Sequence, residues 1–161
     1  MKRALIMVAA IAALAVPASA TGAVNPTDYK NAAKFCKALR AEMEQAAPGS
    51  FKQTYGTNKN RSNAFGKCVS KNAKTLHGIH ASAVEQCKSQ GAKPLGKCVR
   101  QAEHQKQAAT QDEIVNAAKQ CRSERSANPS AFREKYGTNR NKRNAFGKCV
   151  SKTVKENREQ S

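Results

Sequence analysis

Residues 55–71 read YGTNKNRSNAFGKCVSK, and residues 136–152 read YGTNRNKRNAFGKCVSK. Fourteen of these 17 positions are identical, and two of the three differences exchange Lys and Arg. Upstream, the NAAKFC of residues 31–36 answers the NAAKQC of residues 116–121. Between the two lies a shortened copy, AVEQC at 83–87 followed by LGKCV at 95–99. It keeps both cysteines and the GKCV core but lacks the aromatic residues and the GTN segment. A self-similar unit of this size is a structural repeat, each copy too small to bury its own apolar face alone.

Within a copy the apolar spacing is helical. Tyr29, Ala32, Cys36, Leu39 and Met43 recur at intervals of three and four, an amphipathic stripe with Thr27 as a plausible N-cap. In the third copy the same stripe carries Ile114, Ala117 and Cys121, with the helix expected to start at Thr110 or Asp112. A short helix follows: Asn128 caps, Pro129 takes the first turn, Phe132 and Tyr136 sit at i and i+4, and Gly137 ends it. Phe51, Tyr55 and Gly56 repeat that pattern. The first copy has four extra residues between Cys36 and Phe51, about one helical turn, which lengthens a helix without rotating its face. A second long helix should begin near Asn63 with Phe65, Cys68, Val69 and Leu76 inward. No stretch alternates well enough for a strand, so the expected fold is all-α: disulfide-paired helical hairpins, two full copies flanking one shortened copy.

The six cysteines form an even set. If each copy is a hairpin, its two cysteines face each other, which predicts Cys36–Cys68, Cys87–Cys98 and Cys121–Cys149. Such bridges compensate for a core with no Trp and only three Tyr and five Phe. The N-terminus fits a disulfide-forming destination. Lys2 and Arg3 precede an apolar run from Ala4 to Val16, then Pro17 and Ala18-Ser19-Ala20, the pattern of a cleaved signal peptide. The run is shorter than the roughly 20 residues a membrane-crossing helix needs. The expected divisions are a signal peptide at 1–20, a first repeat at 21–75, a shortened repeat at 76–109 and a third at 110–161, with the mature chain secreted or held in the cell envelope and making no integral membrane contact.

The YGTN-x-N-x-x-NAFGKCVSK segment resembles one that recurs in small secreted proteins of actinobacteria. The likeness covers residues 51–74 and 132–155. It implies secretion and supports the repeat, and it carries over no catalytic or binding residue.

Charge is the most informative functional feature. Lys and Arg number 29 against 11 acids, a net charge of +18, and +16 once Lys2 and Arg3 leave with the signal peptide. No acid occurs between Glu44 and Glu85, a stretch that holds Lys59, Arg61, Lys67, Lys71 and Lys74. None occurs between Glu134 and Glu156 either, around Arg140, Lys142, Arg143, Lys148, Lys152 and Lys155. On a helix, Lys67, Lys71 and Lys74 fall opposite the apolar face, as do Lys148, Lys152 and Lys155. Each full copy is thus expected to present an uncompensated cationic ridge headed by a basic loop, suited to anionic polymers through counterion release. The same residues would also serve as a merely solvated face.

The GTN-x-N-x-x-N loop admits two readings. It could be a nest of backbone N–H groups for a phosphate or carboxylate, or Gly could end one helix while Asn or Ser caps the next. His77, His80 and His104 lie in or beside the degenerate copy and read as surface residues. No Ser/His/Asp grouping, Gly-rich phosphate loop or zinc pattern is present, so neither an enzyme nor a cofactor or metal is expected. Three function classes follow: a binding module for anionic polymers at the cell surface, a structural or protein-interaction module, and an antimicrobial or toxin-like effector. Few aromatics and no strongly apolar helix face count against the last.

Overall fold

In the computed structural model, which describes residues 26–160, the chain forms six helices and, among the described residues, no strand. They are α1 (Pro26–Ala46), α2 (Ser50–Tyr55), α3 (Ala64–Ser89), α4 (Leu95–Ala127), α5 (Pro129–Tyr136) and α6 (Ala145–Glu159). The expected signal peptide and its cleavage site lie outside the described residues. No helix among those described is long and apolar enough to cross a membrane.

Local chemistry accounts for the short helices. Asn128 accepts a hydrogen bond from the Ala131 N–H at 3.0 Å, Pro129 occupies the first turn, and Gly137 closes α5 on the Arg133 carbonyl at 2.8 Å. The i, i+4 rings pack as expected, Phe132 on Tyr136 at 4.9 Å and Phe51 on Tyr55 at 5.1 Å between centroids. The four-residue excess of the first copy does lengthen a helix. From Cys36, α1 runs on to Ala46, whereas from Cys121, α4 stops at Ala127. Gly49, at φ 78°, then takes the left-handed turn that a side chain would oppose.

The three disulfides are Cys36–Cys68, Cys87–Cys98 and Cys121–Cys149, one inside each copy. In a chain-entropy account, loops of this size contribute about 3 to 4 kcal/mol each. Three such bonds and no free cysteine point to an oxidising compartment.

The structure departs from the sequence expectations at four points. The copies are not separate hairpins in series, because α3 and α4 run unbroken through the divisions expected after residues 75 and 109. No Pro stands at either place and the single Gly78 is tolerated within α3, so each helix serves two copies. Thr110 therefore starts nothing; it is buried in the middle of α4, with its hydroxyl donating to the Lys106 carbonyl at 2.8 Å. Thr27 likewise lies inside α1, which begins at Pro26. Two ring residues leave the core: Tyr29 is 48% exposed and Phe65 38%.

The remaining stripe residues build one core across both full copies. Leu39, Met43 and Phe51 from the first meet Ile114, Val115, Phe132, Phe146 and Val150 from the third. Helices α1 and α4 touch along it, and α6 docks on α2. Beneath the shortened copy lies a separate small cluster of Ala83, Cys87, Val99 and Ala102, without a single ring. A polar link runs through the first copy's core. Buried Asn72 donates to the Cys68 carbonyl at 2.9 Å and also bonds the Tyr55 hydroxyl. Thr153 takes the same place beside Cys121 in the third.

Candidate anion-binding cleft

The two GTN loops are closed by the same bonds. Asn63 accepts from the Thr57 N–H at 3.0 Å and returns a bond to the Thr57 hydroxyl at 2.8 Å; Asn144 and Thr138 do the same at 3.1 and 2.6 Å. Asn60 accepts from the Ser62 N–H and Asn141 from the Arg143 N–H, both at 3.1 Å. The motif's side chains are thereby spent on the loop itself. Asn63 and Asn144 do stand at the N-cap positions of α3 and α6, yet their side chains close the preceding loop and make no cap bond to the helix. The N–H groups of Thr57, Asn58 and Ser62, like those of Thr138, Asn139 and Arg143, thus donate to Asn side chains of their own loop. These N–H groups therefore form no open anion nest, and the Asn side chains are not simple caps either.

Each loop also holds one non-glycine residue in the left-handed region, Arg61 at φ 58° and Lys142 at φ 53°. That fold brings the backbone back over the preceding glycine. A Cβ on Gly56 would meet the Lys52 carbonyl at 2.6 Å and press on Arg61, and Gly137 stands in the same relation to Arg133 and Lys142. This close approach explains why both loops begin with glycine.

The docking of α6 on α2 sets the two loops against each other. Arg61 donates across the gap to the Arg143 carbonyl at 2.9 Å, and Arg143 donates back to the Lys59 carbonyl at 2.8 Å. At the base, Gly147 lies so close to α2 that a Cβ there would meet the Thr54 carbonyl at 2.8 Å. Arg125 braces the junction, bonding Gln53 and lying 5.0 Å over the Phe146 ring. The result is an open cleft of about 770 Å³ walled by both loops and the first turn of α6.

Lys59, Arg61, Arg143 and Lys148 line this cleft, and none of its lining residues is acidic. Burial, then repulsion from Arg143 and Arg125, lowers the pKa of Arg61 from its ordinary value. Two like-charged guanidiniums, each held by a backbone carbonyl of the opposite loop, with no carboxylate between them, form a local concentration of positive charge that an anion would relieve.

The expected ridges fare differently. In the third copy three of the expected cations are compensated: Lys142 pairs with Glu134 at 3.3 Å, Lys152 with Glu156 at 3.6 Å and Lys155 with Glu159 at 3.5 Å. The acids bounding the acid-free stretch fold back onto it, one from α5 and two a helical turn away. Lys71 is not on an outer ridge. It reaches across to α6, donating to the Ser151 hydroxyl at 3.1 Å, with its ammonium 5.9 Å from the centre of the Tyr55 ring. Lys67 and Lys74 stay exposed on α3 and Arg140 in its loop, none of them lining the cleft. The structure thus gathers four of the eleven expected cations and disperses seven. Gln53, Thr54, Gly147 and Ser151 complete the cleft; no local signal marked them, because their role arises only from one copy docking on the other.

Of the histidines, His80 contacts Glu103 on the exposed side of the shortened copy. Among the described residues, no three His, Cys, Asp or Glu side chains are grouped to hold a metal ion.

Comparison of the chain with protein-family models, with curated proteins and with solved structures gave no match.

Proposed function

We propose that this chain is an exported, non-enzymatic binding module for anionic polymers at the cell surface, and that the polymer lies in the cleft between the two GTN loops. The candidates are a cell-wall phosphate polymer, extracellular nucleic acid or a layer of anionic headgroups, all of which present repeated anions. One observation carries the reading: four cations from two copies converge on an acid-free cleft, while three of the seven expected cations outside it, Lys142, Lys152 and Lys155, pair with carboxylates. Secretion is supported by the N-terminal pattern and by the three disulfides.

Lys59 and Lys148 are the cleft cations whose side chains are free of loop-building bonds, so Lys59→Gln with Lys148→Gln tests the site without opening the loops. On immobilised heparin and on a DNA duplex, this variant should elute at lower salt than the parent. Its log–log salt slope should be shallower by roughly 0.7 to 0.9 for each phosphate it no longer engages. Lys67→Gln with Lys74→Gln should change less, and charge removal at Lys88, Lys97 and Arg100 least. Equal binding by all variants and the parent at about 150 mM salt, where exposed charges are screened beyond about 8 Å, would reduce the cleft to a solvated surface.

A second reading, the protein-interaction module, is favoured by Phe65. Its counterpart Phe146 is buried beside Phe132 and under Arg125, whereas Phe65 heads the same kind of helix and meets solvent.

A further inference from the structure

Behind the cleft, on the far side of Thr54 and Ser151, lies a second concavity of about 430 Å³. Small-molecule sites usually fall between roughly 300 and 1,000 Å³. It opens where the end of α2 meets α3, α4 and α6. Buried Tyr55, Ile114 and Val150, with half-buried Val154, supply apolar surface. At its edge stands Lys71.

We propose that this concavity binds a small amphipathic anion, a carboxylate on a short apolar body, with the carboxylate on Lys71 and Ser151 and the body against Ile114, Val150 and Val154. Such a site is independent of polymer binding in the cleft.

Unmatched charge here stands beside apolar surface. Three other charged side chains reach the concavity, and each is already neutralised: Lys155 with Glu159 at 3.5 Å, and Arg158 with Glu113 of α4 at 2.7 Å. Lys71 has no carboxylate partner among the described residues. A hydroxyl and the face of a ring are what it has. Burial, and then repulsion from Lys148 in the adjoining cleft, lowers its pKa from the ordinary lysine value. Lys71 is exposed as a residue, so a carboxylate can reach it from solvent, and at this point it would offset the repulsion from Lys148. The Ser151 hydroxyl, which accepts from Lys71, keeps its own proton to donate to the same carboxylate. An inorganic anion could satisfy Lys71 as well, but it would leave Ile114, Val150 and Val154 uncovered. The apolar wall therefore selects an amphiphile.

Octanoate is a suitable probe, with acetate (no body) and 1-octanol (no charge) as controls, titrated calorimetrically into the disulfide-bonded protein. Octanoate should bind at one site at least about tenfold more tightly than 1-octanol, the worth of a single charge-assisted hydrogen bond. It should also bind at least about tenfold more tightly than acetate, which lacks the methylenes that the wall would bury. Lys71→Gln should bring octanoate down to the level of 1-octanol, while Lys71→Arg should retain most of the difference. Val154→Phe, at a half-buried position on the wall, should abolish octanoate binding and leave retention on heparin unchanged. The proposal is overturned if octanoate binds no better than acetate, or if Lys71→Gln and Val154→Phe both bind like the parent. Loss of heparin retention in Val154→Phe would also overturn it, since the two concavities would then be one polymer site.

Discussion

Ala64-Phe65-Gly66 and Ala145-Phe146-Gly147 are the same three residues at the start of two helices, each preceded by the same loop. Phe146 is 4% exposed and Phe65 38%. Nothing lies within 4 Å of a Cβ built on Gly66, whereas one on Gly147 would strike the backbone of α2. Helix α6 docks on the α2 of the first copy, but among the described elements no comparable packing joins α3 to α5. The association of the copies is therefore one-sided. A single docking event consumes the third copy's face and the first copy's short helix, and it leaves the reverse pair unused. Because the cleft is a product of that event, cleft and asymmetry stand or fall together.

The asymmetry is tested most severely at the rings. Phe146→Ala should cost about 3 to 5 kcal/mol, as usual for a buried aromatic, and should open the cleft by loosening α6 from α2. Phe65→Ala should fall within about 1 kcal/mol of the parent, as surface changes do. Denaturant unfolding of the two variants side by side measures the difference, and equal losses would mean that the copies associate symmetrically in solution.

The two tyrosines should differ next. Tyr136 directs its hydroxyl to half-buried Glu124 at 2.9 Å. Tyr55 lies in the core, where burial outweighs its bond to Asn72 and pushes its pKa from 10.0 up to about 12. The folded protein holds this proton more tightly than the unfolded chain does. The resulting stability is complete below pH 10 and is lost as pH rises towards about 12, a change on the order of 3 kcal/mol. Tyr55→Phe has no such group, so its stability should fall less than the parent's over that window. Parallel curves for parent and variant would show that Tyr55 is not held protonated by the fold.

The smallest expected effect, and the one of opposite signs, is at the glycines. Gly147→Ala forces a methyl against the Thr54 carbonyl and should cost about 1 to 3 kcal/mol. Gly66→Ala meets open space near the start of a helix and should stabilise by up to about 0.5 to 1 kcal/mol. Thermal melts of the two variants suffice to show the opposite directions.

The features legible in the sequence were those that short stretches of chain decide. Cysteine pairing followed from the repeat, the Asn128-Pro129 start of α5 from cap chemistry, and the extra turn of α1 from residue count. What could not be read depended on which surfaces meet. The stretches containing Phe65 and Phe146 are nearly identical, so no local rule could assign them different fates. The continuity of α3 and α4 was hidden because copy divisions follow similarity, while helix ends are set by breakers: no Pro stands near residues 75 or 109, and Gly78 is carried within α3. The ridge expectation gave way in the third copy for two reasons. Glu134 of α5 reaches Lys142 through space, while Lys152–Glu156 and Lys155–Glu159 are i, i+4 pairs that an acid-free stretch, counted only up to Glu156, leaves out. The cleft cations Lys59, Arg61, Arg143 and Lys148 were all among the expected residues, but their convergence became visible only with the copies docked.

The turn between α3 and α4, residues 90–94, is almost wholly exposed and contains Gly91 at φ 62°. Cys87 and Cys98 stand on either side of it, joined to each other. A protease that severs this turn therefore leaves one covalent molecule. Each fragment would retain a full copy with its own disulfide, and the docked core would still hold both across the break. At this exposed turn a break in the backbone separates nothing.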